Sequence, residues 1–225
     1  MRDGLKRLQI DLNYDFSTPK LLDTALSHRS VGMNNNERSE FLGDSILGFV
    51  IADELFHKFP QADEGQLSRL RASLVKKETL ADIGRQLSIG SYLKLGAGEL
   101  RSGGHARDSI LADAVEAIIA AIYLDSDYQR ARQVILELYD IRLEQLTMTK
   151  GQKDPKTRLQ EWLQSQKMEL PVYEVTKSSG PQHKQQFVVS CSIKSMKVST
   201  TGKGESKRKA EQDAAEKMLE QYEQT

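Results

Sequence analysis

Asn36-Glu37-Arg38-Ser39-Glu40-Phe41-Leu42-Gly43-Asp44-Ser45-Ile46-Leu47 is the stretch on which the reading of this chain turns. It opens a helix that continues through Phe49, Val50, Ile51 and Leu55 and ends near Phe59-Pro60, with Asn36 as the expected N-cap. Glu37, Glu40 and Asp44 follow at spacings of three and four, so a helix of about 3.6 residues per turn puts all three carboxylates on one face. Like charges so placed repel. A solvated acidic first turn facing the helix dipole would suit Glu37 and Glu40. It suits Asp44 poorly, because Asp44 lies two turns in and precedes an apolar run. A metal-binding face is the competing reading, and spacing alone leaves both open.

Arg107 to Tyr123 raises the same question. Ile110, Leu111, Ala112, Ala114, Val115, Ala117, Ile118, Ile119, Ala120, Ala121 and Ile122 make it apolar nearly all round, which predicts a buried helix. Asp113 and Glu116 nevertheless sit one turn apart on it. Buried carboxylates must meet cations or protonate. A salt bridge to Arg or Lys would satisfy them. A divalent metal shared with the first acidic face would account for both helices together.

The rest of the first 148 residues also reads as helix. Leu5, Leu8, Ile10 and Leu12 form a short amphipathic segment, and Thr18-Pro19 starts a helix carrying Leu21, Leu22, Ala25 and Leu26. Asp63 should cap a helix with Leu67, Leu70, Leu74 and Val75, followed by another from Lys77 to Leu87. Gly90 to His105, with five glycines, reads as a loop. A last helix spans Asp127 to about Leu146. Residues 149–154 are polar and contain Gly151, and read as a linker. Beyond it the pattern becomes α-β-β-β-α: a helix over Pro155–Gln166, strands at Val172–Val175, Gln186–Ile193 and Met196–Thr200, and a closing helix over Ser206–Tyr222.

The 225 residues carry no net formal charge, but there are 19 basic against 22 acidic residues up to Lys150 and 13 against 10 beyond it. Neither part is basic enough for bulk charge to announce a nucleic-acid partner, so that case rests on local patches. No apolar run approaches the roughly 18 residues of a membrane span, and Met1 to Lys20 lacks the apolar core of a secretory signal. The single cysteine, Cys191, cannot form an intrachain disulfide and reads as a buried strand residue. A cytoplasmic location, with no membrane and no small-molecule cofactor, is the expectation.

Several motifs carry a resemblance. Glu37 to Ser45, Asp63-Glu64-Gly65-Gln66-Leu67-Ser68, Leu95-Gly96-Ala97-Gly98-Glu99 and Ser109 to Ala117 together resemble the ribonuclease III family. Asp154-Pro155-Lys156-Thr157-Arg158-Leu159-Gln160-Glu161 and Gly202-Lys203-Gly204-Glu205-Ser206-Lys207-Arg208-Lys209-Ala210 are similar to a double-stranded-RNA-binding domain. Ser39 departs from the family, which usually has an apolar residue there. The resemblance implies a multi-domain protein: an all-α endonuclease domain over residues 1–148, then a small α+β RNA-binding domain over 155–225. It places the catalytic and metal-holding carboxylates at Glu40, Asp44, Asp113 and Glu116, with Glu37 and Glu64 as accessory acidic residues. The implied metal is Mg2+, with Mn2+ as a substitute.

The implied reaction is hydrolysis of double-stranded RNA by a homodimer, leaving 5′-phosphate and 3′-hydroxyl ends with short 3′ overhangs. Ribosomal RNA precursors and other structured RNAs are the expected substrates. RNA contacts are expected at Gln160, Glu161 and His183, which match positions facing the minor groove, and at Lys203, Lys207, Arg208 and Lys209 at the phosphates. Taken alone, the Lys207-Arg208-Lys209 run is also compatible with a solvated basic turn, the lesser of the two readings. His105 and Arg107 are candidates for substrate contact, whereas His28 and His57 read as structural. The rivals are an RNA-binding protein that does not cut, and another metal phosphohydrolase built on the same helices.

Overall fold

The helix expected over Arg107–Tyr123 is α7, Asp108–Asp125, around which the first part of the chain is built. The computed structural model describes residues 2–146, 154–181 and 185–221. The chain divides into two units, Met1–Gly151 and Gln152–Thr225, each with its own core. Preceding α7 are α1 (Arg2–Asp11), α2 (Pro19–Ala25), α3 (Glu37–Lys58), α4 (Glu64–Val75), α5 (Lys77–Gln86) and α6 (Ala97–Arg101), and α8 (Tyr128–Glu144) follows it. Eleven side chains of α7, from Ile110 to Ile122, are buried. It packs against α2, α3, α5 and α8, so its apolar surface faces protein on several sides, as its sequence demands.

Two glycines set how closely α7 is approached. A Cβ on Gly43 of α3 would lie 1.8 Å from the backbone oxygen of Glu116. A Cβ on Gly84 of α5 would lie 3.2 Å from that of Leu111. The far end of α7 is tied to the N-terminal segment by Asp125, which accepts from Tyr14 Oη at 2.9 Å and from the backbone N–H groups of Ser17 and Thr18 at 2.7 and 2.8 Å.

Two local expectations are corrected. Asn36 precedes α3 but does not cap it, because its backbone is already helical (φ −88°, ψ −6°) and its buried amide donates to Ala25 O at 3.3 Å. Asn35 Oδ1 accepts from the Glu37 N–H at 3.1 Å instead. The glycine-rich segment is not a plain loop: it holds α6 and short 3₁₀ turns at Ile89–Ser91 and Gly104–Ala106. On α3, Leu47, Val50, Ile51 and Leu55 are ordinary core, whereas Phe41, Phe49 and Phe56 stand out at 78%, 60% and 66% exposure. The expected Asp63 cap is present as a reciprocal pair with Gln66.

The second unit comprises α9 (Pro155–Ser165), β1 (Val172–Ser179), β2 (Gln186–Ile193), β3 (Val198–Gly204) and α10 (Lys207–Glu220). The strands form an antiparallel sheet in the order β1-β2-β3. Cys191 and Ile193 point into a core shared with Leu159 and Leu163 of α9 and Ala214, Ala215, Met218 and Leu219 of α10. Met196 falls in a 3₁₀ turn, so β3 begins at Val198 rather than Met196 and runs past the expected end at Thr200 through Gly202-Lys203-Gly204. Those glycines serve packing: a Cβ on Gly202 would lie 2.2 Å from Ala210 O, and one on Gly204 would lie 2.6 Å from Ala210 N. Of the expected linker only Asp154 is described, where its carboxylate caps α9 by accepting from Thr157 N at 3.3 Å.

Candidate metal centre and nucleic-acid interface

The Gly43 crossing brings the two acidic helices together. Glu40 of α3 and Asp113 and Glu116 of α7 each offer a carboxylate oxygen within 4.8 Å of the others. Each of the three is partly buried, and none forms a salt bridge among the described residues. The strain of holding them together shows in their protonation. Burial first, then the charges of Asp44, Glu40 and Asp113, push the Glu116 carboxyl from 4.5 up to about 8. Burial also raises Glu40, reinforced by Asp113 and Glu37 and opposed by Arg29. Burial raises Asp113 as well, opposed by His28 and Arg29. The salt-bridge reading is therefore not what the structure contains. Three hard oxygen donors whose mutual repulsion is only partly offset by nearby cationic groups suit a hard divalent cation.

The other acidic residues stand at different distances from this set. Asp44 is exposed and lies outside the three-carboxylate group, yet its charge is the largest of those raising Glu116. Glu37 lines the same cleft and lies 3.8 Å from Arg29. Glu64 is placed elsewhere within this chain: it accepts from Ser68 Oγ at 2.7 Å and lines a separate cleft with Phe56, Leu67 and Arg71.

The acidic cleft encloses about 380 Å³, and its lining includes His28, Arg29, Glu40, Glu99, Arg107 and Asp113. Arg107, just before α7, contacts Glu99 at 2.8 Å and donates to Ser102 Oγ at 3.2 Å. The glycine-rich segment fits this wall closely. A Cβ on Gly104 would lie 2.7 Å from the Glu99 side chain, one on Gly96 2.5 Å from Ser30 O, and one on Gly90 2.3 Å from His105 O. Arg107, a candidate for substrate contact, thus lines the acidic cleft while paired with Glu99. His28, read from sequence as structural, also faces the cleft; a histidine six residues after Leu22 carries no periodic signal of such a role.

In the second unit, Lys207, Arg208 and Lys209 are exposed at the start of α10, where Ser206 Oγ accepts from Lys209 N at 3.2 Å. The free amides and dipole of that helix end favour phosphate as well. Lys209 is engaged by Glu205, an exposed pair of little strength. Lys203 is exposed on β3, its backbone N–H donating to Asp213 at 2.8 Å. Gln160 and Glu161 are exposed on α9, and His183 lies outside the described residues.

Comparison with known proteins agrees with both halves. The pattern described as Ribonuclease-III-like matches residues 18–143, and that of the double-stranded RNA binding motif matches residues 155–222. "Ribonuclease 3" of Vibrio cholerae is 57% identical over 221 residues, covering 98% of each chain. "Ribonuclease 3" of Photobacterium profundum is 55% identical over 223 residues, covering 99% of this chain and all of that one. The crystal structure of the nuclease domain of ribonuclease III from Campylobacter jejuni is 40% identical, with a TM-score of 0.60, covering 63% of this chain and 97% of that one. A second structure of that nuclease domain, described as flexible in the region involved in its dimer formation, is 41% identical with a TM-score of 0.60. With an acidic cleft in one unit, a double-stranded RNA binding motif in the other and relatives matched nearly end to end, the chain belongs to the ribonuclease III family.

Proposed function

We infer that this protein is a divalent-metal-dependent endoribonuclease of double-stranded RNA. The observation that carries the reading is the convergence of Glu40, Asp113 and Glu116 from two helices, with carboxylate oxygens within 4.8 Å of one another. These three, with Asp44 beside them, would hold Mg2+, or Mn2+ in its place, since all offer carboxylate oxygens. A divalent ion there would offset the negative charge of a phosphodiester and make water a stronger acid.

The chain's own part is to hold these groups in place. Burial in the α3–α7 crossing fixes the carboxylates before substrate arrives, so little reorganisation is needed at reaction. Arg29 and Arg107 on the same wall present guanidinium groups to an RNA strand. Glu37 lies at the rim, and Glu64, in its separate cleft, is assigned an accessory role. Lys203, Lys207, Arg208 and Lys209 supply phosphate contacts, and Gln160, Glu161 and His183 minor-groove contacts. Hydrolysis would leave 5′-phosphate and 3′-hydroxyl ends, with ribosomal RNA precursors and other structured RNAs as substrates.

The exposed phenylalanines complete the proposal. Phe41, Phe49 and Phe56 follow at spacings of eight and seven and so share one face of α3, opposite its buried residues. Such a face suits a second copy of the chain, and a homodimer would carry two centres, one for each strand of a duplex, leaving short 3′ overhangs. The functional domains are residues 1–148 and 155–225, and the working location is the cytoplasm; no described helix is long and apolar enough to cross a membrane.

The test is incubation of the protein with a long RNA duplex, with and without Mg2+. Short duplexes with 5′-phosphates are expected only with the metal. Intact duplex in both samples, from a folded protein that still binds it, would favour the non-cutting alternative.

A further inference from the structure

His28 is nearly buried, at 9% exposure, yet it lines the acidic cleft. Its backbone is held on both sides. The His28 N–H donates to Lys94 O at 3.1 Å, and the Lys94 N–H donates to Leu26 O at 2.8 Å. The Asn36 N–H donates to Ser27 O at 2.8 Å, joining this segment to the start of α3. The imidazole is therefore carried by a fixed support rather than by a free loop.

The ring is fixed as well. Ser30 N–H donates to His28 Nδ1 at 3.3 Å, and Ser30 Oγ lies 2.9 Å from the same nitrogen. A backbone N–H can only donate, so Nδ1 carries a lone pair and the ring proton sits on Nε2. Ser30 is in turn held by the glycine-rich wall: Gly96 N–H donates to Ser30 Oγ at 2.8 Å, leaving the hydroxyl proton for Nδ1. Among the described residues Nε2 has no hydrogen-bond partner. The ring lines the same cleft as Glu40 and Asp113, on the wall that also carries Arg29 and Arg107.

A donor locked in one tautomer, without a protein acceptor, beside a carboxylate cluster, serves an acceptor that comes with the substrate. We propose that His28 is a further catalytic residue of this site. Its Nε2–H donates a hydrogen bond to a non-bridging oxygen of the phosphodiester held at Glu40, Asp113 and Glu116, and Ser30 and Gly96 act as positioning residues. The proposal rests on the endonuclease reading. It gives the site a neutral donor, preorganised toward oxygens whose charge grows in the transition state.

Two substitutions separate the ring's two nitrogens. His28→Asn keeps an oxygen where Nδ1 stood to accept from Ser30 N–H, Asn being a favoured residue for that cap, and removes the outer donor. His28→Gln restores an N–H near the Nε2 position. The measurements are single-turnover cleavage of an RNA duplex in Mg2+, duplex binding in Ca2+, Mn2+ binding to the RNA-free full-length protein by electron paramagnetic resonance, and thermal unfolding. His28→Asn is expected to cut roughly a hundredfold more slowly, with duplex affinity, Mn2+ affinity and unfolding temperature near wild type. His28→Gln is expected to recover roughly tenfold of that loss.

Wild-type speed in His28→Asn would overturn the proposal. So would a loss of Mn2+ affinity or folding in step with the loss of rate, since that would make His28 structural. Failure of the wild-type protein itself to cut would instead remove the endonuclease reading on which the proposal stands.

Discussion

Glu116 shows most directly how one residue links fold and chemistry. It sits on the most apolar helix of the chain, and its backbone oxygen packs where Gly43 has no side chain. Glu116→Gln is nearly isosteric, so the fold and duplex binding should persist while cleavage falls by roughly 10²-fold or more, the scale of losing one preorganised charge. Binding and cleavage assays on the same preparation check this, and near-normal turnover would remove the residue from the metal set. Its raised carboxyl also predicts a pH effect in the metal-free protein. Between the ordinary 4.5 and about 8 the folded chain holds a proton that the unfolded chain has lost. That stabilisation is complete below the unfolded value and lost as pH rises toward 8. In EDTA the unfolding temperature should therefore fall across this window, and Glu116→Gln should flatten the slope. An unchanged slope in the variant would assign the effect to other groups. Spacing alone told that Asp113 and Glu116 needed a partner, because a buried helix has no solvent to satisfy them. It could not choose between a cation from the protein and a metal, since that depends on whether an Arg or Lys lies within reach in space. His28 was missed for the same reason, as its role follows from Ser30 and Lys94, the latter distant in sequence.

At the scale of the element, the crossing of α3 and α7 decides whether the centre exists. Gly43→Ala would put a methyl 1.8 Å from a backbone oxygen, which no rotamer change can relieve. The helices must separate, at a cost of about 1–3 kcal/mol or more, against a helix-propensity gain of roughly 1 kcal/mol. Because the same movement parts Glu40 from Glu116, Mn2+ affinity should fall together with the unfolding temperature. Gly98→Ala on α6 meets nothing within 4 Å and serves as the control, expected to melt no lower than wild type. If the two alanine variants behaved alike, the crossing would not be the constraint described. Helices with strong periodicity or good caps, such as α4 behind Asp63 and the apolar α7, were legible because their signals are local. The Asn36 cap failed because a buried amide took a partner eleven residues away. The end of β3 was not legible, because glycine usually marks a loop; here α10 lies so close that the strand can carry no side chain at Gly202 and Gly204.

At the scale of the whole molecule, chemistry and most of the electrostatic grip are assigned to different parts of the chain. The exposed face of Phe41, Phe49 and Phe56 belongs to the first unit, so a chain ending at Met148 should still dimerise and still cut duplex at low salt. Near physiological salt it should fail, because Lys203, Lys207, Arg208 and Lys209 are gone. Each phosphate contact contributes roughly 0.7–0.9 to the slope of log affinity against log salt. Losing the three lysines alone should therefore lower that slope by about 2 to 3. Lys207→Ala with Lys209→Ala in the full-length protein should lower it by about 0.7 to 1.8, the smaller figure applying if Glu205 keeps Lys209 from the RNA. Phosphates carry no base identity, so two unrelated duplexes should weaken alike. Salt titrations of wild type, double variant and truncated chain on both duplexes make the comparison. An unchanged slope in the double variant, or weakening on one duplex only, would show that the first turn of α10 is not the phosphate clamp.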